Sequence, residues 1–339
     1  NHHLVLEQGQ LEVVTDAYPG QVGLLNLRGH GLVVDAAGKS RAMKIIGNAA
    51  QLGSAFVMED VTVTGGVATG FVPGMTDDTG AGGGILKIGN SDLILKRSRV
   101  HGNRANFGGG IAANGSSLVP YAGRYIHLYD STIADNVAEG VTAPYVQGRG
   151  GGLNLSNTCL LSVRSTISGN HALTYGGGIY AEASASHCTF SIVYEPISLQ
   201  LHQSTVSGNT TAAVHPEDYE SGGAGIMTLV PLMSYGSTIT GNDGANLPAV
   251  IMYPGFGAAT FVNTILSGNT VRGPHPEITY PSPDLWFGSG SAAHSVIGTL
   301  SGLSGPGNVA PMRRAWARSP TTAGSPAPTC LRPRAREQQ

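Results

Sequence analysis

The chain has few of the features on which most folded proteins depend. Only 12% of its 339 residues are charged, 6% are aromatic and three are cysteine. The net charge of −2 offers no basic surface for nucleic acid or for an anionic membrane. No run of about 18 apolar residues occurs, so the sequence predicts no transmembrane helix. Helical periodicity is also missing, which argues against a helical bundle.

What the sequence has instead is glycine, with 50 residues, and a recurring motif. Ser165–Ile179 reads STISGNHALTYGGGI, and variants of it occur along most of the chain. Six asparagines mark the repeat at steps of 33, 34, 39, 33 and 27 residues: Asn103, Asn136, Asn170, Asn209, Asn242 and Asn269. A period in this range is typical of stacked-repeat architectures.

Each repeat contains three short apolar runs that predict strands. The first alternates apolar and polar residues, as in Thr-Ile-Ser, and ends at Gly-Asn, a pair that turns the chain. The second follows Gly-Gly-Gly, and the third resembles LLSVRS. Three strands and three corners predict one coil of a parallel β-helix, an all-β solenoid of about eight or nine coils.

The repeated residues have physical roles in such a coil. Asparagines at one corner of successive coils can stack and hydrogen-bond as a ladder along the axis. The six repeat asparagines are therefore predicted to be structural. Glycine runs allow the backbone to pass where a side chain would collide with the neighbouring coil.

The motif [ST]-[IV]-[ST]-G-N followed by G-G-G-[IL] resembles right-handed parallel β-helix repeat proteins of bacterial surfaces. It is most similar to the polymorphic outer-membrane-protein type, and the resemblance covers about Leu24–Leu303. It implies a single-stranded right-handed parallel β-helix and an extracellular or bacterial cell-surface location. It implies little about activity, since this fold carries adhesins, lyases and hydrolases.

The chain divides into an N-terminal cap or leader (1–23), the β-helix (24–303) and an irregular tail (304–339). The tail is rich in proline and arginine. Read in another frame, Arg314–Pro326 can encode a segment similar to the LGPLADNGG-T ending of family members. We therefore interpret the tail as frameshifted near Met312, the alternative being an unrelated tail. We interpret the chain as a mature or trimmed form of an exported precursor.

Cysteines leave two alternatives open. Cys159 and Cys188 lie in neighbouring repeats and either bridge two coils or are two small buried thiols. Cys330 lies in the tail and is expected to be unpaired.

Candidate functional residues lie where the connection between the Asn corner and the Gly run is long, since such inserts emerge from one corner of a solenoid. Clustered carboxylates beside tyrosine and arginine suit a sugar polymer, and paired carboxylates can hydrolyse one. The candidate catalytic residues are Asp77, Asp78, His215, Glu217, Asp218 and Glu220. The candidate binding residues are Tyr145, Arg149, Tyr175 and Tyr219.

Other chemistry has weaker support. No cofactor is predicted, although Glu217, Asp218 and Glu220 could hold calcium. Enzyme signatures of galacturonan hydrolases and pectate lyases are absent or out of order. We therefore expect a monomeric, secreted or surface-displayed protein that presents a loop-lined groove to a polysaccharide. The alternatives are a polysaccharide lyase or glycoside hydrolase acting in the same groove, and a structural spacer without a ligand.

Overall fold

The computed structural model describes residues 2–7, 9–15, 24–47, 54–70, 80–115, 125–140, 147–183, 198–212, 221–253, 257–273, 283–287, 289–298 and 303–310. These residues form 33 β-strands and, within the same ranges, no helix. The strands make three parallel sheets, here named A, B and C.

Sheet A has 17 strands: β1 (His3–Val5), β3 (Leu24–Asp35), β5 (Ala55–Thr64), β8 (Asp92–Lys96), β9 (Arg99–His101), β12 (Tyr125–Tyr129), β13 (Thr132–Ala134), β16 (Cys159–Val163), β17 (Thr166–Ser168), β20 (Leu199–His202), β21 (Thr205–Ser207), β24 (Leu232–Tyr235), β25 (Thr238–Thr240), β28 (Ala259–Val262), β29 (Ile265–Leu266), β32 (Gly290–Ala293) and β33 (Val296–Ile297).

Sheet B has nine strands: β2 (Leu11–Thr15), β4 (Met43–Gly47), β7 (Ile85–Ile88), β11 (Ile111–Asn114), β15 (Leu153–Ser156), β19 (Ile179–Glu182), β23 (Ile226–Thr228), β27 (Val250–Met252) and β31 (Leu285–Phe287). Sheet C has seven: β6 (Val67–Ala68), β10 (Arg104–Ala105), β14 (Val137–Ala138), β18 (His171–Ala172), β22 (Thr210–Thr211), β26 (Asp243–Gly244) and β30 (Thr270–Val271).

The chain visits the sheets in a fixed order and so forms a parallel β-helix, as the repeat predicts. One coil passes from β15 in sheet B through β16 and β17 in sheet A to β18 in sheet C, and β19 then pairs in parallel with β15. The nine strands of sheet B correspond to nine coils. Full coils contain four strands rather than the predicted three, because the two residues after each Asn corner pair as sheet C.

The core lies inside the coils because successive side chains of a strand point to opposite faces. In β17 the inward Ile167 is fully buried, whereas Thr166 and Ser168 are half-buried on the outer face. Like positions stack from coil to coil, so the inward residues form one continuous hydrophobic cluster along the axis. Burying such side chains is the main term that stabilises the coil.

A ladder of asparagines lines the corner between sheets A and C. From Asn103 to Asn242, each Nδ2 donates to the Oδ1 of the next asparagine at 2.8–2.9 Å. The same Oδ1 accepts the preceding asparagine's backbone N–H at 2.9–3.1 Å. At the last asparagine, Asn269, the carboxylate of Asp284 takes the acceptor role. The ladder therefore satisfies buried polar groups that would otherwise destabilise the coil.

The Gly run before β19 shows the steric reasons for three consecutive glycines. Gly176 has a positive φ of 64°, a conformation that side chains disfavour. A Cβ on Gly177 would lie 2.4 Å from the carbonyl oxygen of Thr210 in the next coil. A Cβ on Gly178 would lie 2.6 Å from the carbonyl oxygen of Gly225 in the next coil and 3.0 Å from Nδ2 of Asn209 in the ladder.

A second ladder, which the sequence analysis missed, lies within sheet A. The Oγ of Ser165 accepts the backbone N–H of Ser131 at 3.0 Å and donates to the Val163 carbonyl at 2.9 Å. The residue before each ladder position turns the chain with a positive φ, as Arg164 does at 48°. The signal was present in the runs LILKRS, YIHLYDS, LLSVRS and LQLHQS, which all end in serine.

Coils alternate between long and short. The first residues of the aligned sheet B strands from β4 to β31 are 42, 26, 42, 26, 47, 24 and 35 residues apart. In the first three long steps, both the connection from sheet B to sheet A and the connection from sheet C to sheet B contain more residues than in the short steps. The structural unit is therefore a pair of coils, and two long connections do not follow each other on neighbouring rungs between β4 and β31.

Both ends of the chain continue the coil within the described residues. β1 and β2 pair with β3 and β4, so the leader supplies strands to the first coil. At the other end, Ser304 and Val309 bridge to β32 and β33. Cys159 is buried, whereas Cys188, Cys330 and the tail from residue 311 lie outside the described residues.

Candidate binding face on sheet B

The outer face of sheet B carries a column of side chains that changes character along the axis. Positions that alternate with the buried core residues stack from coil to coil in register. From β4 to β31 this column contains Lys44, Leu86, Ala112, Asn154, Tyr180, Met227, Ile251 and Trp286. Its C-terminal half is therefore aromatic and apolar, and although it faces away from the core, Tyr180, Met227 and Ile251 are buried there in a second hydrophobic cluster.

Two of the predicted binding residues lie side by side at one edge of this face. Arg149 and Tyr175 each precede a Gly run, and the two residues form a parallel bridge. Tyr175 bridges in turn to Gly222 in the following coil. The repeat geometry places them together because like corners stack over like corners.

Arg149 connects to two further residues that the sequence analysis did not select. Its Nη1 donates to the Tyr180 hydroxyl at 3.1 Å and to Oε2 of Glu182 at 3.4 Å. The guanidinium carbon lies 5.0 Å from the centre of the Tyr180 ring, which is within range of a cation–π interaction. The Tyr180 hydroxyl donates to the same Glu182 oxygen at 2.8 Å. The three side chains thus form one cluster.

The environment of this cluster keeps Tyr180 protonated. Burial, followed by the neighbouring charge of Glu182, raises the pKa of Tyr180 well above its usual range. Tyr180 therefore remains a hydrogen-bond donor to Glu182 at every pH at which proteins are normally studied. Arg149 and Glu182 keep 25% and 38% of their side-chain surface exposed, so both can contact a ligand.

An apolar stretch continues from the cluster towards the C-terminal coils. Tyr175 and Tyr180 have ring centres 6.4 Å apart, and Tyr253 meets Trp286 edge-on at 5.5 Å. Leu247 packs over Gly222, where an added Cβ would lie 2.2 Å from the Leu247 Cβ. Tyr175, Tyr253 and Trp286 remain half-buried, so their rings are partly accessible.

The remaining eight candidate catalytic and binding residues all lie outside the described residues. They are Asp77, Asp78, Tyr145, His215, Glu217, Asp218, Tyr219 and Glu220. Each belongs to a long connection that runs from a strand of sheet C to a strand of sheet B. The candidate catalytic carboxylates and the candidate calcium ligands all lie in these connections. The separation of the carboxylates, on which hydrolysis depends, is therefore outside the described residues.

A second surface with ligand-like features lies on the outer face of sheet A, and the sequence analysis did not identify it. It is an open groove of about 660 Å³ beside His202 and Tyr235, whose rings stack with centres 5.0 Å apart. The signal lies in the outward positions of the runs LQLHQS and LMSYGS. The pattern of the first of these runs predicts only a strand.

The described residues offer neither a metal-binding cluster nor a membrane-spanning helix. No cluster of three or more His, Cys, Asp or Glu side chains there is placed to hold a metal ion. None of the described segments is a helix of sufficient length and apolarity to cross a bilayer.

Comparisons with known proteins gave no relative. No protein family matches the sequence, and neither a curated protein nor a solved structure shows significant similarity to it.

Proposed function

We propose that this chain is a secreted or bacterial cell-surface protein that binds a polysaccharide along the outer face of sheet B. The observation that carries the proposal is the Arg149–Tyr180–Glu182 cluster, in which Arg149 and Glu182 are partly exposed and which lies beside the half-buried Tyr175. The repeat's resemblance to bacterial surface proteins supports the location.

The chemistry of this face suits sugar rings. A carboxylate accepts hydrogen bonds from hydroxyl groups, and a guanidinium donates to ring and hydroxyl oxygens. Aromatic rings supply large apolar faces on which the carbon–hydrogen face of a sugar can stack. Glu182, Arg149 and Tyr175 provide all three kinds of contact within neighbouring coils.

The periodicity of the face suits a linear polymer. Neighbouring strands of a sheet lie about 4.8 Å apart, so the four steps from the Arg149 coil to the Trp286 coil span roughly 19 Å. A polymer lying parallel to the axis would contact the charged cluster at one end and the Tyr253–Trp286 pair at the other. We therefore propose that the chain axis of the polysaccharide follows the axis of the β-helix.

A calorimetric titration with acidic and neutral polysaccharides tests the proposal. We expect at least one polymer to bind, and Arg149→Ala to weaken that binding at least tenfold because the variant loses a donor to the ligand and its contact with Tyr180. Arg164→Ala is the matched control, since Arg164 lies on sheet A and pairs with Asp130. Incubations scored for unsaturated or reducing ends test the lyase or hydrolase alternative.

The Arg164→Ala control distinguishes the loss of a specific contact at Arg149 from a general effect of removing an arginine. If no polymer binds the wild-type protein, or if Arg164→Ala weakens binding as much as Arg149→Ala does, the proposal is wrong. Thermal unfolding of both variants shows that any loss of binding comes from a folded protein.

A further inference from the structure

The groove on the outer face of sheet A lies on a different side of the coil from the sheet B face. Its walls are outward side chains of β16, β20 and β24, among them Leu161, Gln200, His202 and Tyr235. Its volume of about 660 Å³ is within the range of small-molecule binding sites, and it is open along the axis. It is independent of the polysaccharide face proposed above.

A missing side chain creates this groove. In every coil from β5 to β32, one residue turns the chain inside sheet A with a φ between 45° and 58°. In order these corner residues are Asp60, Arg97, Asp130, Arg164, Gln203, Gly236, Asn263 and His294. Seven of the eight have side chains that project outward, and Gly236 leaves a gap between Gln203 and Asn263. Both neighbours of the gap line the groove.

The charge along the corner column changes where the groove begins. In the earlier coils Arg97 pairs with Asp60, and Arg164 pairs with Asp130. The groove itself is lined by amides, an imidazole, a phenol and aliphatic groups, with no carboxylate, ammonium or guanidinium among its lining residues. A charged ligand would find no ion-pair partner among these lining residues.

The lining groups match the chemistry of an uncharged sugar. The amides of Gln203 and Asn263 can each donate to and accept from a hydroxyl group. His202 and Tyr235 lie on neighbouring coils and stack on each other with ring planes 25° apart. Val163 and Leu161 add apolar contact beside these rings. Amides next to planar rings are suited to the hydroxyls and apolar face of a neutral pyranose.

We propose that this groove binds an uncharged glycan, with a sugar ring stacked on the His202–Tyr235 pair and the adjacent amides contacting its hydroxyls. The gap at Gly236 admits the ring, and the uncharged lining selects against uronates. The protein then has two carbohydrate-binding surfaces of different chemistry, one on sheet B that contains Arg149 and one on sheet A that is uncharged.

Calorimetry with soluble oligosaccharides tests the proposal on the full chain. The probes are cellohexaose, xylohexaose, maltohexaose and hexa-N-acetylchitohexaose, with hexagalacturonate as the charged counterpart. We expect at least one uncharged probe to bind, and Tyr235→Ala to weaken that binding about tenfold. Tyr129→Ala is the matched control, because Tyr129 occupies the same outward column of sheet A outside the groove. We expect it to bind within twofold of the wild type.

Filling the gap provides a second test that removes no ligand-binding group. Gly236→Asn adds a side chain that tolerates a positive φ, as Asn263 does at 50° in the next coil. We expect it to weaken glycan binding at least tenfold while thermal unfolding stays close to that of the wild type.

Four results would overturn the proposal. The first three are the absence of binding by every uncharged probe at millimolar concentration, tighter binding of hexagalacturonate that depends on Tyr235, and equal losses in Tyr129→Ala and Tyr235→Ala. Loss of uncharged-probe binding in Arg149→Ala but not in Tyr235→Ala would assign these sugars to sheet B, and the groove proposal would be wrong. The reverse pattern supports the groove whether or not sheet B binds a polymer.

Discussion

Asparagines inside the coil and asparagines on its outer surface have different environments. Inside, Asn170 is fully buried and joined to the asparagines of both neighbouring coils. Outside, Asn154 is half-buried on sheet B and belongs to a column whose other members are lysine, leucine, alanine, tyrosine, methionine, isoleucine and tryptophan. The inner position repeats because each residue satisfies its neighbour, whereas the outer position is free to vary. Binding chemistry is therefore expected on the outer faces.

The largest effect should come from breaking the inner ladder. Asn170→Ala removes the acceptor of both the backbone N–H and the Nδ2 of Asn136, and Asn136 is fully buried. Unsatisfied buried donors cost about 1–3 kcal/mol each, so we expect a loss of about 2–5 kcal/mol in the free energy of unfolding. Equilibrium unfolding in urea measures the loss. Asn154→Ala is the control, and an equally large loss there would contradict the distinction between inner and outer positions.

A smaller effect is expected at the serine ladder. Ser165→Ala leaves the buried backbone N–H of Ser131 without its acceptor, which should destabilise the protein by about 1–3 kcal/mol. Ser168, three residues later, faces outward and provides a matched substitution. Urea unfolding of Ser165→Ala and Ser168→Ala should separate the two, and indistinguishable midpoints would show that the second ladder contributes little.

The smallest effect is expected at the exposed corner column. Hydrogen bonds from Arg164 at 2.7 and 2.8 Å hold the pKa of Asp130 below its ordinary value. A lowered pKa in the folded state stabilises the protein above the unfolded-state pKa, and this contribution disappears as the pH falls through the folded-state value. Asp130→Asn should therefore lower the urea midpoint slightly at pH 7, and the difference from wild type should decline below about pH 4.

Unfolding at high salt is the control for the exposed Arg164–Asp130 pair. Because the pair is exposed, 1 M salt should screen it and bring the two midpoints together at pH 7. A difference that persists at high salt would mean that Asp130 stabilises the coil by another route.

The sequence predicted the coil because its inner positions are constrained. Asn170 and the glycines at 176–178 recur for steric and hydrogen-bonding reasons that can be read from their spacing. Sheet C was missed because a strand of two residues, such as His171–Ala172, has no pattern to detect. The serine ladder was missed although Ser165 ends a recognised run, because an outward-pointing and an inward-pointing serine look alike in the sequence.

The alternation of long and short coils is not visible in the spacing of the repeat asparagines. A step from Asn103 to Asn136 contains a short connection before sheet B and a long one after it, and the next step contains the reverse. The two lengths cancel, which is why those steps are 33 and 34 residues. Measured between sheet B strands, the same segments alternate between 42 and 26 residues.

Only the site residues that lie at corners of the coil were predicted from the sequence. Arg149 and Tyr175 were selected as neighbours of the polar insert along the wall that the long connections form, and the stacked corners place them together. Tyr180 and Glu182 were missed because they follow the run at outward positions of β19, where the sequence GGGIYAE indicated only a strand. Asking which residues alternate with the buried Ile179 and Ala181 would have identified them.

The fluorescence of Trp286 during a polysaccharide titration tests the central claim most directly. Trp286 lies on the outer face of sheet B, four coils beyond the Arg149 coil, and replacing the only other tryptophan with Trp316→Phe isolates its signal. If the polymer lies along this face, the Trp286 emission should shift and saturate at the concentrations at which calorimetry reports binding. Saturating calorimetric binding with an unchanged Trp286 spectrum would contradict the account.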